Sequence, residues 1–274
     1  AGAVETVMPV VQPAELWQNI GYGWRNIGLG FVGAADPFAY VLAVLGSLTF
    51  WSPSFSIVLL YVLALPIAAL GAWFCARKIT RRRWLPAIAA LLWMLAPPLL
   101  GSLATGHLGA VIAHLLLPWL ILCALNATRS WAAAAGAALL FAAVTASAPS
   151  LAPALLLAWV LWLFSQPRSA HRIIGIPIPA AALFAPLVLQ QVLRGNILGL
   201  VADPGVPVTT GAVSSWHLAL AAPMAGLDGW QGVFTNMALG GASATLLVAV
   251  LLAPLGILAI LALFVPGSRR AIPS

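Results

Sequence analysis

Residues 54–83 read SFSIVLLYVLALPIAALGAWFCARKITRRR. The first twenty-three of these carry no charge, and the last seven carry five: Arg77, Lys78, Arg81, Arg82 and Arg83. Twenty-three residues of α-helix are about 35 Å long, and the hydrocarbon core of a bilayer is about 30 Å thick. An uncharged run of that length reads as a membrane span, and the basic cluster behind it reads as a cytoplasmic loop.

The rest of the chain repeats this pattern. Further apolar runs fall near 85–103, 108–126, 131–148, 150–166, 174–193 and 243–265. The pair 131–148 and 150–166 is split at Ala148-Pro149-Ser150 and reads as a tight helical hairpin across the bilayer. Asp36-Pro37 opens a run to Trp51 of about 22 Å as helix, too short to span, which suits an interfacial or re-entrant helix. Between Pro13 and Ile27, Leu16, Trp17, Ile20, Trp24 and Ile27 recur at spacings of three and four, the pattern of an interfacial helix. Gly28, Gly30 and Gly33 then break it. The expected fold is all-α, a polytopic helical membrane protein of about seven transmembrane helices plus one or two interfacial helices.

Composition agrees. The chain is 63% hydrophobic and 6% charged, whereas soluble domains carry about 25% charged residues. The net charge of +7 does not mark a nucleic-acid binder, because the basic residues cap apolar runs and form no polar face. Counting through seven spans places Arg129, Arg168, Arg172, Arg269 and Arg270 on the same side as the Arg77–Arg83 cluster. The opposite side holds Arg25, Arg194 and every acid: Glu5, Glu15, Asp36, Asp203 and Asp228. This partition predicts residues 1–53 as an extracytoplasmic segment, 54–274 as the transmembrane domain, 194–242 as a long external loop and a cytoplasmic C-terminus. The chain opens on Ala1 without a signal-peptide pattern, and an external N-terminal segment calls for an earlier span, so the expectation is a piece of a longer protein.

The few ionisable groups are the candidates for chemistry. Asp36 precedes Pro37, an arrangement that starts helices. At an external interface it could also activate an acceptor hydroxyl or hold a divalent metal with a lipid-linked pyrophosphate. Glu15 could do the same or be an ordinary solvated residue. Asp203 and Asp228 adjoin Pro204 and Gly229 and read as turn formers. His107 sits in the turn Thr105-Gly106-His107, either over the external opening near a phosphate or sugar, or as an interface anchor. His114 lies two turns further and inside the bilayer, where ionisable side chains mark functional sites unless a neighbouring carbonyl satisfies them. About 10.5 Å of helix rise separates the two histidines, too far for one metal ion. Arg77 and Arg81 could hold anionic headgroups or the phosphate of a lipid carrier, or simply set topology. Cys75 and Cys123 read as packing residues. There is no phosphate-binding glycine loop with lysine, no CxxC and no nucleophile elbow, so no cofactor or dedicated metal site is evident.

Three stretches carry a resemblance. One is Glu15-Leu16-Trp17 with Gly28-Leu29-Gly30 and Asp36-Pro37. The second runs from Leu65-Pro66 through Gly71-Ala72-Trp73 to Ala76-Arg77. The third is Ala96-Pro97 with Gly106-His107-Leu108-Gly109 and Leu117-Pro118-Trp119. Together they resemble the multi-spanning region of actinobacterial membrane glycosyltransferases in which a cytosolic family 2 domain precedes the spans. More distantly, they are similar to GT-C-type enzymes of the cell wall. The resemblance implies a bacterial plasma-membrane protein that handles lipid-linked sugar or polyprenyl phosphate and works with an upstream cytosolic glycosyltransferase domain. The alternative it implies is a self-contained GT-C-like enzyme with Asp36 or Glu15 as the catalytic carboxylate, although the paired acids that open the GT-C external loop are missing from this chain. A third reading, a transporter or flippase of a lipid-linked glycan, is weakened by the lack of an internal repeat.

Overall fold

The computed structural model describes Trp17, Ile20 and residues 24–28, 31–34, 36–49, 51–195 and 197–204. The described chain is mostly helical. A short hairpin, β1 (Trp24–Gly28) and β2 (Phe31–Ala34), leads into α1 (Phe38–Ser47), α2 (Pro53–Ile79), α3 (Leu85–Met94), α4 (Pro97–Thr105), α5 (Leu108–Ala127) and α6 (Trp131–Ser147). A 3-10 turn, Pro149–Leu151, joins α6 to α7 (Ala152–Ser165); a second, Pro167–Ser169, leads into α8 (Ala170–Ile173), and α9 (Ile178–Leu193) and a third, Ile197–Val201, follow.

The hairpin corrects the all-helical expectation. β1 and β2 pair antiparallel, Trp24 opposite Ala34 and Arg25 opposite Gly33, with a bulge between Asn26 and Gly28. Helical spacing of apolar residues had placed the end of an interfacial helix here. Gly28, Gly30 and Gly33 weaken a helix in this stretch, and Ile27, Phe31 and Val32 favour extended backbone.

Among the described residues, three helices are long and apolar enough to cross a membrane: Pro53–Ile79, Leu85–Thr105 taken across its break, and Leu108–Ala127. Two further pairs qualify only jointly, α6 with Pro149–Ser165, bent by 117°, and Pro167–Ile173 with α9, bent by 52°. The count is three, or up to five if each pair is one span. The expectation of about seven counts both arms of the first pair and adds 243–265, which lies outside the described residues. So does most of 194–242, the stretch expected to form a long external loop. The expected helix at 37–52 is the ten-residue α1, and the expected run at 174–193 narrows to α9, since Gly175 and Pro177 hold the preceding residues in turns.

Prolines start many of these helices. Pro53, Pro86, Pro97 and Pro153 sit in first turns, where a missing N–H costs nothing. Pro66 and Pro118 lie inside α2 and α5, as membrane helices tolerate.

Small residues set the packing. Ala64 and Ala68 of α2 are fully buried against Leu99 of α4 and Val111 and Leu115 of α5. Gly71, one turn on, lies under Pro118 and Trp119; a Cβ there would stand 3.0 Å from Trp119 Nε1. Such a stripe lets helix backbones approach where lipid offers no hydrophobic drive to associate. The alanine-rich α6 is the hub, with Ala134, Ala137, Phe141 and Val144 buried among Ala113, Leu120, Ile173 and Ile176. By contrast, α7 buries none of its residues. Leu157, Leu161 and Phe164 there are 60–79% exposed, a surface that suits lipid and not water.

Contacts fix which loops share an end. Gly71 against Trp119 sets the C-termini of α2 and α5 at one level. Arg172 Nη1 donates to Thr128 O at 2.8 Å, bringing the start of α6 and the chain beyond α7 to that same end. At the other end, Gly109 abuts Ser147 and Pro204, and Ser150 meets Asp203. The two arms of the bent pair thus begin and finish at one end and turn at the other. The first end carries Arg77, Lys78, Arg81, Arg82, Arg83, Arg129, Arg168 and Arg172, and its connecting residues 76–84, 127–131 and 166–177 contain no carboxylate. The second end carries Asp36, Asp203 and Arg194.

Candidate functional site

The carboxylate-bearing end gathers four connections. Asp36 opens α1: its Oδ1 accepts the Phe38 N–H at 2.9 Å, and its carbonyl accepts from Ala39 N at 2.9 Å. The helix-start role read from Asp-Pro is therefore present. The side chain stays exposed while Pro37 is buried beneath it, so the carboxylate is held in place yet open to the outside. Close by in the chain, Ala34 N donates to Gln190 Oε1 at 2.8 Å, which ties β2 to α9. Trp17 Nε1 donates to Ser47 Oγ at 2.9 Å, and that hydroxyl donates to Ala43 O. Beneath them, Thr49 and Ser56 hydroxyls bond in the connection between α1 and α2. Glu15, the second carboxylate of the expected pair, lies outside the described residues.

Gly106 closes α4 with φ of 74°, a left-handed cap that glycine adopts without strain. His107 follows, half-buried, with Nδ1 2.6 Å from the Thr105 hydroxyl. That bond fixes the ring and leaves Nε2 as the nitrogen able to meet a ligand. Gly109 lets the start of α5 touch the α6–α7 turn, for a Cβ there would fall 2.3 Å from Ser147 O. Asp203 grips the same turn: Oδ1 accepts Ser150 N at 2.9 Å and Oδ2 accepts Ser150 Oγ at 2.8 Å. Asp203, read as a turn former, is thus the anchor that ties the chain beyond α9 to the tip of the α6–α7 hairpin. Fifty-three residues separate the partners, and no local pattern announces such a contact.

His114 has a different setting. Its ring stacks on Trp93 with centroids 4.3 Å apart. Its Nε2 lies 3.0 Å from Trp93 O, and Trp93 Nε1 donates to His114 O at 3.3 Å. Pro97 and Pro98 lack the N–H groups that would continue helix bonding across the α3–α4 break, so carbonyls there are freed. The Trp93 carbonyl loses its partner at position 97, takes a long bond from Ala96 N at 3.3 Å instead, and gains the His114 imidazole as a second partner, as neighbouring helices supply in membranes. It is a positioning residue between α3 and α5.

Arg77 and Arg81 are exposed at the opposite end. The 27 residues of α2, about 40 Å of helix, separate that end from Asp36. The structure therefore brings Asp36 and the His107 turn to one end and does not bring the two arginines to them. Among the described residues no three His, Cys, Asp or Glu side chains stand close enough to hold a metal ion. Cys75 and Cys123 are free thiols, the first buried and the second half-buried. A further cluster escaped the sequence reading. Arg172 lies 5.7 Å over the Trp131 ring, which also meets His171 edge-on at 5.6 Å. No known protein family, curated protein or solved structure matches this chain.

Proposed function

We propose that the chain is the membrane domain of a bacterial cell-envelope glycosyltransferase that handles lipid-linked sugar, with about seven spans, the basic end in the cytoplasm and residues 1–53 outside. The resemblance in the Glu15–Trp119 motifs supplies the class of activity. The observation that carries it furthest is the division of the helix array into a carboxylate-bearing end and a purely basic end. A basic face suits phosphate-bearing carriers and a preceding cytosolic catalytic domain, and it follows the positive-inside rule.

A second reading has one observation in its favour. Asp36 is exposed, fixed at a helix start and on the same end as His107. A self-contained enzyme of the GT-C type would use that carboxylate as the base toward an acceptor hydroxyl, with His107 near the donor phosphate and a divalent metal as an optional partner. The test is sugar transfer in membrane vesicles from a strain expressing the full-length protein, with radiolabelled polyprenyl-phosphate sugar and nucleotide sugar as donors. Under the first reading, Asp36→Ala inserts normally and transfers sugar at nearly the wild-type rate. Loss of transfer with normal insertion selects the second. If deleting the gene changes no lipid-linked sugar pool, both readings fail.

A further inference from the structure

The α6–α7 hairpin does not close. The chain bends by 117° at the Pro149 turn, short of the full reversal of a closed hairpin, and between its arms and α5 lies a cleft of about 250 Å³. Leu120, Leu125, Phe141, Ala158, Trp159 and Trp162 are among its lining residues, and every lining residue is apolar. Trp159 is pinned there by donating Nε1 to Ile173 O at 2.9 Å. Ile121, Leu125 and Leu157 along and beside its rim are 38–61% exposed, so the cleft is open on the side where hydrocarbon would surround a spanning bundle.

Its position along α5 is what makes it specific. Leu125 precedes Thr128 by one turn, and Thr128 O accepts from Arg172 Nη1. The cleft therefore ends at the basic face, at the arginine that sits over Trp131. A guanidinium has five N–H donors; Arg172 Nε is buried and has no acceptor. The connecting residues of this end contain no carboxylate to supply one. An anionic group from another molecule would supply acceptors for the guanidinium. A molecule joining an anionic head to an apolar tail of the cleft's width is a membrane lipid.

We infer that the α5–α7 cleft is a binding site for one chain of a net-anionic phospholipid, with Arg172 pairing its uncompensated phosphate. The inference stands apart from the glycosyltransferase reading, since it requires neither sugar nor catalysis, and a failed transfer assay leaves it intact.

The test is photolabelling of the full chain in nanodiscs. Phosphatidylglycerol or phosphatidylcholine carries a diazirine in mid-chain, at equal mole fraction, and the labelled peptides are identified by mass spectrometry. Phosphatidylglycerol should label the Trp159–Trp162 peptide about fivefold more than phosphatidylcholine, the difference one cation near a membrane surface makes. Arg172→Gln should bring the two lipids to parity, and Arg172→Lys should keep most of the preference. Ala158→Trp, which fills the cleft without touching a charge, should remove labelling from this peptide alone. Elution as one monodisperse peak in detergent checks that each variant is folded. Equal labelling by both lipids in the wild type, or labelling untouched by Ala158→Trp, overturns the inference. So does efficient cross-linking of an Ala158→Cys variant to the chain's own 243–265 run, which would make that run the occupant.

Discussion

Two side-chain-sized spaces decide how tightly the helices meet. At Gly109 an added methyl would fall 2.3 Å from the Ser147 carbonyl oxygen, a backbone atom that cannot swing aside. Gly109→Ala should destabilise the fold by about 2 kcal/mol, read as a lower melting temperature in detergent. Gly106→Ala, where the added atom meets nothing and only the left-handed backbone resists, should cost about 1 kcal/mol. If the two variants melt together, the α5–α6 contact is not as close as drawn. His114→Ala removes one of the two bonds to the Trp93 carbonyl, which keeps the Ala96 N–H, together with the ring stacking, and should cost about 1 kcal/mol, in the range measured for hydrogen bonds between membrane helices. His114→Gln should recover part of it, because an amide nitrogen can still donate. A histidine that instead contacted substrate would lose transfer activity with its melting temperature unchanged. The sequence could flag His114 as an ionisable group inside an apolar run, but could not name its role. Its partner stands twenty-one residues away on another helix, at a carbonyl that the proline break leaves with only the long bond from Ala96 N. Asp36 was more legible, because a cap acts on its own neighbours: the Asp-Pro step and the bond to Phe38 are one local fact.

At the scale of elements, the long spans were readable because two independent signals coincide, an uncharged stretch and a basic or proline-bearing boundary. The runs read at 54–76, 85–103 and 108–126 became Pro53–Ile79, Leu85–Thr105 and Leu108–Ala127. The hairpin at 24–34 was not readable in the same way. Its apolar residues satisfy a helical spacing as well as they satisfy a strand, and pairing between β1 and β2 made the choice. The break between α3 and α4 was visible as Pro97-Pro98, but not its consequence for α5. The Ala64–Ala68–Gly71 stripe offers a test of packing. Ala68→Leu forces a branched side chain into a site that is 0% exposed, and overpacking of this kind costs about 1–3 kcal/mol. Val62→Leu, on the 70% exposed face of the same helix, should stay within about 0.5 kcal/mol. Equal effects would mean that the stripe is not the seam.

For the whole molecule the decisive property is polarity along the helix axes. Eight basic residues share one end, while Asp36 and Asp203 share the other. With the proposed orientation, Ser169→Cys, in the 3-10 turn Pro167–Ser169, should be shielded from an impermeant thiol reagent in intact cells. Gly211→Cys should react. Both variants need a background with Cys75 and Cys123 replaced by alanine, and lysed cells should label both. Reversed labelling would turn the molecule over and move Asp36 to the cytoplasm. The placement of the charges along the chain makes this end-to-end division legible in the sequence. It could not show that the Arg172 cluster lies at the foot of the open hairpin, which depends on where α7 returns.

The reciprocal bonds between Trp93 and His114 also bear on biogenesis. Within the segment up to Thr105 the Trp93 carbonyl beside the double proline has only the long bond from Ala96 N, and the imidazole that adds the shorter one emerges with the next segment, after a turn of two residues. A nascent chain stopped before Leu108 would enter the lipid without that second bond and without the ring stacking. The two segments should therefore leave the insertion machinery as a pair, and reporter fusions placed at Thr105 should insert less completely than fusions placed after Thr128.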